Sequence, residues 1–421
     1  MLSLLFALCS AAAQASATQE EDIAEATRLF ERGRFEEAQA IVTRLRAVPD
    51  AALQVLFLSG ALHVQSGRHA KAAEEFRLIL AKDPSLIRPR LELARAHFMA
   101  GDYDAARYHF EQTLAAPLPE AVKGNVLSFL RQIREHLPSY AVSLELVSDS
   151  NPKQATSSKV VELGGRQFQL NDDARAQKAL GVLFVGQTKI PLPSDTSWFM
   201  RGNLVHYDYE GRSLDLSYAQ LLGGKHYNLG RHSLDLEAGA HLSGYGGKTL
   251  YDGVMWRASD FVRIRPAVGV TLSMESKELR YPEFTFLSGW QHMGSAEVRY
   301  APSPKSSVSA ALSHTRGTAQ ERAYAFDGNA VDLRYLHEWK GGWIGSATFR
   351  YARYKFDDID PFFGNVRSDV ENRLELGVVN RYLSYKRFSP RLTIGTAERR
   401  SNINLYAFNR AYVRVGFVTE Y

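Results

Sequence analysis

The residues able to do chemistry in this chain are few, and their spacing suits little of it. Twelve histidines are scattered without a His-Glu-x-x-His pair, and the single cysteine is Cys9, so a zinc site has no ligand set to draw on. Gly247-Lys248-Thr249 looks like the tail of a phosphate-binding loop. The glycine such a loop needs five positions before Gly247 is Leu242, and no helix pattern follows, so the segment reads as a plain loop. His292 and His314 stand in strand-like segments, yet nothing pairs either with a specific serine and carboxylate. The expectation is a protein that is not an enzyme and takes no metal or cofactor.

Composition points to other work. The chain has 421 residues, enough for two domains, with 45% hydrophobic and 23% charged residues. Lys and Arg exceed Asp and Glu by only five and form no stripe, so nucleic acid is not an expected partner. The 20 Tyr, 22 Phe and 31 Gly suit a membrane barrel, whose amphipathic rings sit at the interface. No apolar run reaches the roughly 18 residues of a helical span, so strands would have to do the crossing.

Residues 1–17 read as a secretion signal: Leu2 to Leu8 are apolar, and Ala15-Ser16-Ala17 or Ala13-Gln14-Ala15 offers a small-x-small cleavage site. No Lys or Arg precedes the apolar core, a departure from the usual leader pattern. Cys9 lies inside this segment behind Leu8, where a lipidation box wants a small residue. The mature chain would then hold no thiol, and disulfides and thiolate chemistry go with it.

Residues 18–138 form the first expected domain. Gly33, Gly67 and Gly101 are spaced by 34 residues, as are Ala38, Ala72 and Ala106, and Phe76 and Phe110. Val42 stands in the first copy, Gly60 and Ala94 repeat ahead of their alanines, and Pro84 closes the middle copy. This resembles the tetratricopeptide repeat, whose small residues let paired helices cross closely. About three repeats are expected, with Glu120 to His136 as a cap presenting Val122, Val126, Leu130 and Ile133 on one face. Such a stack makes a concave groove for peptide, here expected to be lined by Phe57, Ala61, Gln65, Arg88, Leu91, Arg95 and Phe98.

After Pro138 the helical period gives way to strict alternation. Leu234, Leu236, Ala238, Ala240 and Leu242 face one way; Ser233, Asp235, Glu237, His241 and Ser243 face the other. Val262, Ile264, Val268, Val270 and Leu272 alternate with Arg263, Arg265 and Thr271. About fourteen such segments occupy 139–421, near 140–148, 176–188, 196–209, 213–227, 232–245, 261–273, 276–285, 288–300, 306–316, 327–339, 343–356, 368–380, 389–399 and 410–421. Tight turns follow even strands, and several longer connections follow odd ones, at 149–175, 246–260, 357–367 and 400–409. That asymmetry is expected of an outer-membrane barrel, with a soluble β-sandwich as the alternative.

The fold class is therefore α plus transmembrane β: a tetratricopeptide solenoid, then an antiparallel barrel of about fourteen strands. The polar face should line a lumen of mixed charge through Asp215, Glu237, Arg263, Arg265, Glu297, Arg299, Asp332, Arg334, Arg350 and Arg373, with His292 and His314 also inside. Arg414, Gly416, Thr419 and Tyr421 fit a polar-x-Gly-x-x-apolar-x-aromatic ending that resembles the signal read by the barrel assembly machinery.

This order of elements resembles the surface lipoprotein assembly modifiers (Slam), the outer-membrane components of type XI secretion. Asp149-Ser150-Asn151 after the first strand resembles the family's Asp-Ser-Asn, and Ser401-Asn402-Ile403 through Leu405-Tyr406 resembles its C-terminal segment. Asp, Ser and Asn also suit an ordinary strand-end turn. The resemblance implies a monomeric translocator among outer-membrane lipids, with its repeats in the periplasm and a lipidated or secreted protein as cargo. An exopolysaccharide exporter is the alternative; its kind carries more repeats and a lumen of one charge sign.

Overall fold

In the computed structural model the described residues are 18–47, 52–163, 165–193 and 195–419. The expected leader and Tyr421 lie outside them. The chain divides into two compact units, parting between Leu137 and Pro138.

The first unit is helical. Helix α1 covers residues 18–31. It is followed by α2 (Phe35–Arg46), α3 (Leu53–Gln65), α4 (His69–Lys82), α5 (Ile87–Met99), α6 (Tyr103–Leu114) and α7 (Glu120–His136). The 34-residue period has a plain physical basis. Gly33, Gly67 and Gly101 each turn the chain between paired helices at φ of 74°, 69° and 79°, where a side chain would be strained. In each copy the next N–H reaches back to the preceding helix: Arg34 to Leu29 O, Arg68 to His63 O and Asp102 to His97 O.

Ala38, Ala72 and Ala106 are fully buried at the crossings. A Cβ on Gly60 would stand 2.7 Å from the Phe76 ring, so α3 and α4 approach as closely as glycine permits. Ala26 extends the Gly60–Ala94 column into the first copy and is equally buried. Cap helix α7 seats Val126 and Ile133 against Phe110, with Val122 and Leu130 packed around them.

The second unit is a closed antiparallel barrel of fourteen strands. They are β1 (Ser139–Asp149), β4 (Ala179–Leu192), β5 (Asp195–Tyr209), β6 (Leu216–Leu229), β7 (His232–Tyr245), β8 (Lys248–Arg265) and β9 (Val268–Leu279), then β10 (Gly289–Ser303), β11 (Ser306–Gly317), β12 (Phe326–Glu338), β13 (Trp343–Ile359), β14 (Val366–Asn380), β15 (Ser389–Ser401) and β16 (Phe408–Thr419). A small hairpin of β2 (Val160–Leu163) and β3 (Arg166–Gln169) decorates the first loop. Neighbours in sequence pair throughout, and β1 pairs with both β4 and β16 to close the ring. We call the end where β1 begins and β16 ends proximal, and the other end distal.

The exposed face is apolar: Leu144, Leu146, Leu236, Leu242, Leu312, Leu374, Ile394 and Val415 are all more than 40% exposed. The opposite parity is buried and charged, including Glu145, Glu237 and Glu371. This inversion of an ordinary globule is what a bilayer requires. Outward Trp198, Tyr227, Tyr300, Tyr335 and Trp343 gather toward the proximal end, where an aromatic belt would meet the headgroups. Strands run from 11 to 18 residues, most of them longer than the roughly 9–11 that cross a bilayer, so several project beyond it.

Two expected strands need correction. Segments 261–273 and 276–285 are the end of β8, the turn at Pro266-Ala267, and β9. A two-residue turn alone would flip the parity, but the register shift between Arg263 and Arg265 restores it, so the apolar alternation runs through without a break. The long connection expected at 246–260 is a tight turn at Gly246-Gly247, with φ of 59° and 77°, followed by β8.

Candidate functional site

The repeat unit brings some of the expected groove residues together. The guanidinium carbon of Arg88 lies 5.1 Å from the Phe57 ring centre, and that ring contacts Phe76 at 5.6 Å. Gln65, Arg88 and Arg95 are exposed, and Arg95 pairs with Glu92 at 3.1 Å. Ala61 is half-buried. Leu91 and Phe98 instead pack into the cluster beneath α7, where Phe98 meets Phe129 edge-on at 5.1 Å. Two stacked histidines went unnoticed in the sequence: His97 and His109 lie ring to ring at 5.7 Å, with His97 Nδ1 2.9 Å from Asp102. Burial, reinforced by His97, Arg90 and Arg77, lowers the His109 pKa to about 4.

The barrel interior holds a set of ion pairs. Glu237 receives Arg201 at 2.7 Å and Arg257 at 3.5 Å, and Arg257 also reaches Glu275 at 2.6 Å. Glu371 joins Arg373 and Arg399, Asp332 joins Arg350 at 2.8 Å, and Glu375 joins Arg414 at 2.6 Å. Among the expected lumen residues, Glu237, Asp332, Arg350 and Arg373 belong to these pairs. Arg263, Glu297, Arg299 and Arg334 also have inward parity, but no ion pair joins them among the described residues. Arg265 stands at the strand end, past a break in register between Arg263 and Arg265.

Three expected lumen positions are corrected. Asp215 is not on a strand wall: it lies in the distal connection before β6, where its carboxylate accepts the Tyr209 N–H at 3.0 Å. His292 shares the parity of exposed Trp290, Val298 and Tyr300, and stacks on Trp290 at 6.1 Å. His314 shares that of Val308 and Leu312 and bonds Asn329 at 3.0 Å. Both histidines face outward. Each sits on the distal half of its strand, where projecting strand ends tolerate polar side chains on the outer face.

Asp149-Ser150-Asn151 fastens the first strand to the last. Asp149, with no exposed side-chain surface, accepts Arg410 from β16, the Tyr209 hydroxyl at 3.0 Å and the Asn151 N–H at 2.9 Å. Ser150 Oγ accepts the Ala411 N–H at 2.8 Å. Buried Asn151 donates to Asn409 O at 3.0 Å and exchanges bonds with Ala155. The turn chemistry read from the sequence is present. Its partners on β16 were invisible there, being over 250 residues away.

With this geometry established, comparison with known proteins is direct. The family profile described as surface lipoprotein assembly modifier matches residues 140–420. The chain belongs to that family. Tetratricopeptide-repeat profiles match residues 23–87 and 63–123. Surface lipoprotein assembly modifier 1 of Neisseria meningitidis serogroup B is 25% identical over 403 residues, covering 85% of this chain and 74% of that protein. Surface lipoprotein assembly modifier 2 of Haemophilus influenzae is 20% identical over 367 residues, covering 84% and 75%. Among solved structures, PcrH from Pseudomonas aeruginosa aligns with 28% of this chain and 92% of its own at 21% identity and a TM-score of 0.26. The CymD monoaromatic hydrocarbon channel aligns with 70% and 91% at 10% identity and a TM-score of 0.38.

Proposed function

We propose that this protein moves a surface lipoprotein or a soluble secreted protein across the bacterial outer membrane. The family match across the whole barrel carries this reading. The names of both relatives link it to lipoprotein assembly. In this reading the repeats engage incompletely folded cargo in the periplasm, through the surface that includes Phe57 and Arg88, and pass it to the barrel. Outer-membrane lipid surrounds the apolar belt, and the barrel assembly machinery inserts the chain as a monomer. Cargo folding outside supplies direction, since no nucleotide is available in that compartment.

The test is protease shaving of intact cells that co-express candidate cargo with either the full chain or a form lacking residues 18–136. Cargo should reach the surface with the full chain and fail to do so with the shortened form, while the barrel remains inserted. Undiminished display by the shortened form would sink the role given to the repeats. Loss of a surface polysaccharide in the gene deletion, with every candidate cargo still exported, would favour an exporter instead.

A further inference from the structure

The inward charges are not evenly mixed. Around most of the wall each guanidinium meets a carboxylate, as at Arg201, Arg257, Arg373, Arg399 and Arg414. The proximal part of the sector from β8 to β12 departs from this. Arg263 is in register with Gly269, Gly269 with Arg299, Arg299 with Ser309, and Ser309 with Arg334. The three arginines thus share one level of the inner wall on alternate strands, with a glycine and a serine between them. Their outward neighbours Ile264, Val298, Tyr300, Leu333 and Tyr335 confirm that parity.

All three are exposed, so water reaches this part of the interior. Glu297, one inward step toward the distal end, also makes no ion pair among the described residues. Asp332 is neutralised by Arg350. Three guanidinium groups against the one carboxylate of Glu297 leave this row at a net charge of +2, and low-dielectric walls focus such a field.

We propose that this row is a binding strip for an acidic, extended polypeptide segment at the proximal end of the lumen. Strands lie about 4.8 Å apart, which puts arginines on alternate strands roughly 10 Å apart. An extended chain of the polyproline-II type has three residues per turn and rises about 3.1 Å per residue, so carboxylates at every third position share one face at roughly 9 Å, close to that spacing. Guanidinium groups bind carboxylates through paired N–H donors, and the small residues between leave room for a backbone to lie across the wall. The inference rests on the translocator reading and names a feature of the cargo: the segment that lodges here carries regularly spaced Asp or Glu.

The experiment uses the detergent-purified full-length chain and a fluorescent peptide of about twelve residues with Glu at every third position, read by anisotropy. Gln-substituted and Lys-substituted peptides serve as controls. The Glu peptide should bind at least about tenfold more tightly than the Gln peptide, and high salt should weaken it. The triple variant R263Q/R299Q/R334Q should lose that advantage, while Arg231→Gln, in a turn at the same end, should keep it. Should the triple variant fail to fold, single Arg334→Gln should weaken binding about two- to fivefold. Equal binding by the wild type and a folded variant, or equal loss with Arg231→Gln, would overturn the proposal. So would retention of alginate by the row with no hold on the Glu peptide. Cargo display in cells is scored separately, so loss of the strip and loss of the translocator reading give different results.

Discussion

Asp149 and Arg410 stand 261 residues apart in the chain and meet across the seam that closes the barrel. Arg410 Nε lies 3.2 and 2.9 Å from the two carboxylate oxygens, and Nη2 lies 2.5 Å from Oδ2. The side chains are 0% and 14% exposed. A charge so buried is stable only with its partner. Replacing Asp149 by Ala strands the guanidinium and should cost about 3–5 kcal/mol. The heat or denaturant needed to shift the barrel's electrophoretic mobility should fall accordingly, and Arg410→Ala added to it should cost less than the sum of the two single changes.

The neighbouring position Leu146 tests which face meets lipid. It is 68% exposed in the outer belt, one residue from buried Glu145. Leu146→Arg should destabilise the inserted barrel by about 2–4 kcal/mol if it lies near the bilayer centre. Leu146→Ala should insert normally. Denaturant titration in lipid vesicles distinguishes the two.

In the repeats, Gly60→Leu drives a side chain into the Phe76 ring and should cost about 1–3 kcal/mol. Every α-helix among the described residues is in this unit, so far-ultraviolet helix signal in the full chain should melt earlier while barrel mobility on gels is unchanged.

The stacked histidines give the same unit a pH dependence. The folded pKa of His109, about 4, lies below its ordinary value of 6.5. Below that ordinary value the unfolded state binds the extra proton, so stability is full above pH 6.5 and is lost as pH falls toward 4. Thermal melts of the helix signal between those limits should show the decline, and His109→Gln should flatten it.

Much of this was legible beforehand. Gly33, Gly67 and Gly101 announced the repeat because a left-handed turn leaves one acceptable residue, and helix crossings need alanine or glycine. The strands announced themselves by alternation, except where the register shift beside the Pro266-Ala267 turn kept β8 and β9 in phase. Groove membership was less readable. Leu91 and Phe98 occupy first-helix positions like Phe57, yet α7 covers them, and that covering depends on where a later helix folds back.

The sequence by itself determined the two architectures, because helix and strand periods are local properties written over a few residues at a time. It also determined which residues are polar and which apolar on each strand. Only the tertiary structure decided which way each face points, which charges cancel and which remain. Arg263, Arg299 and Arg334 look no different in the sequence from paired Arg201 or Arg257. Register across separate hairpins sets them at one level with no carboxylate opposite, and closing the ring places Asp149 against Arg410.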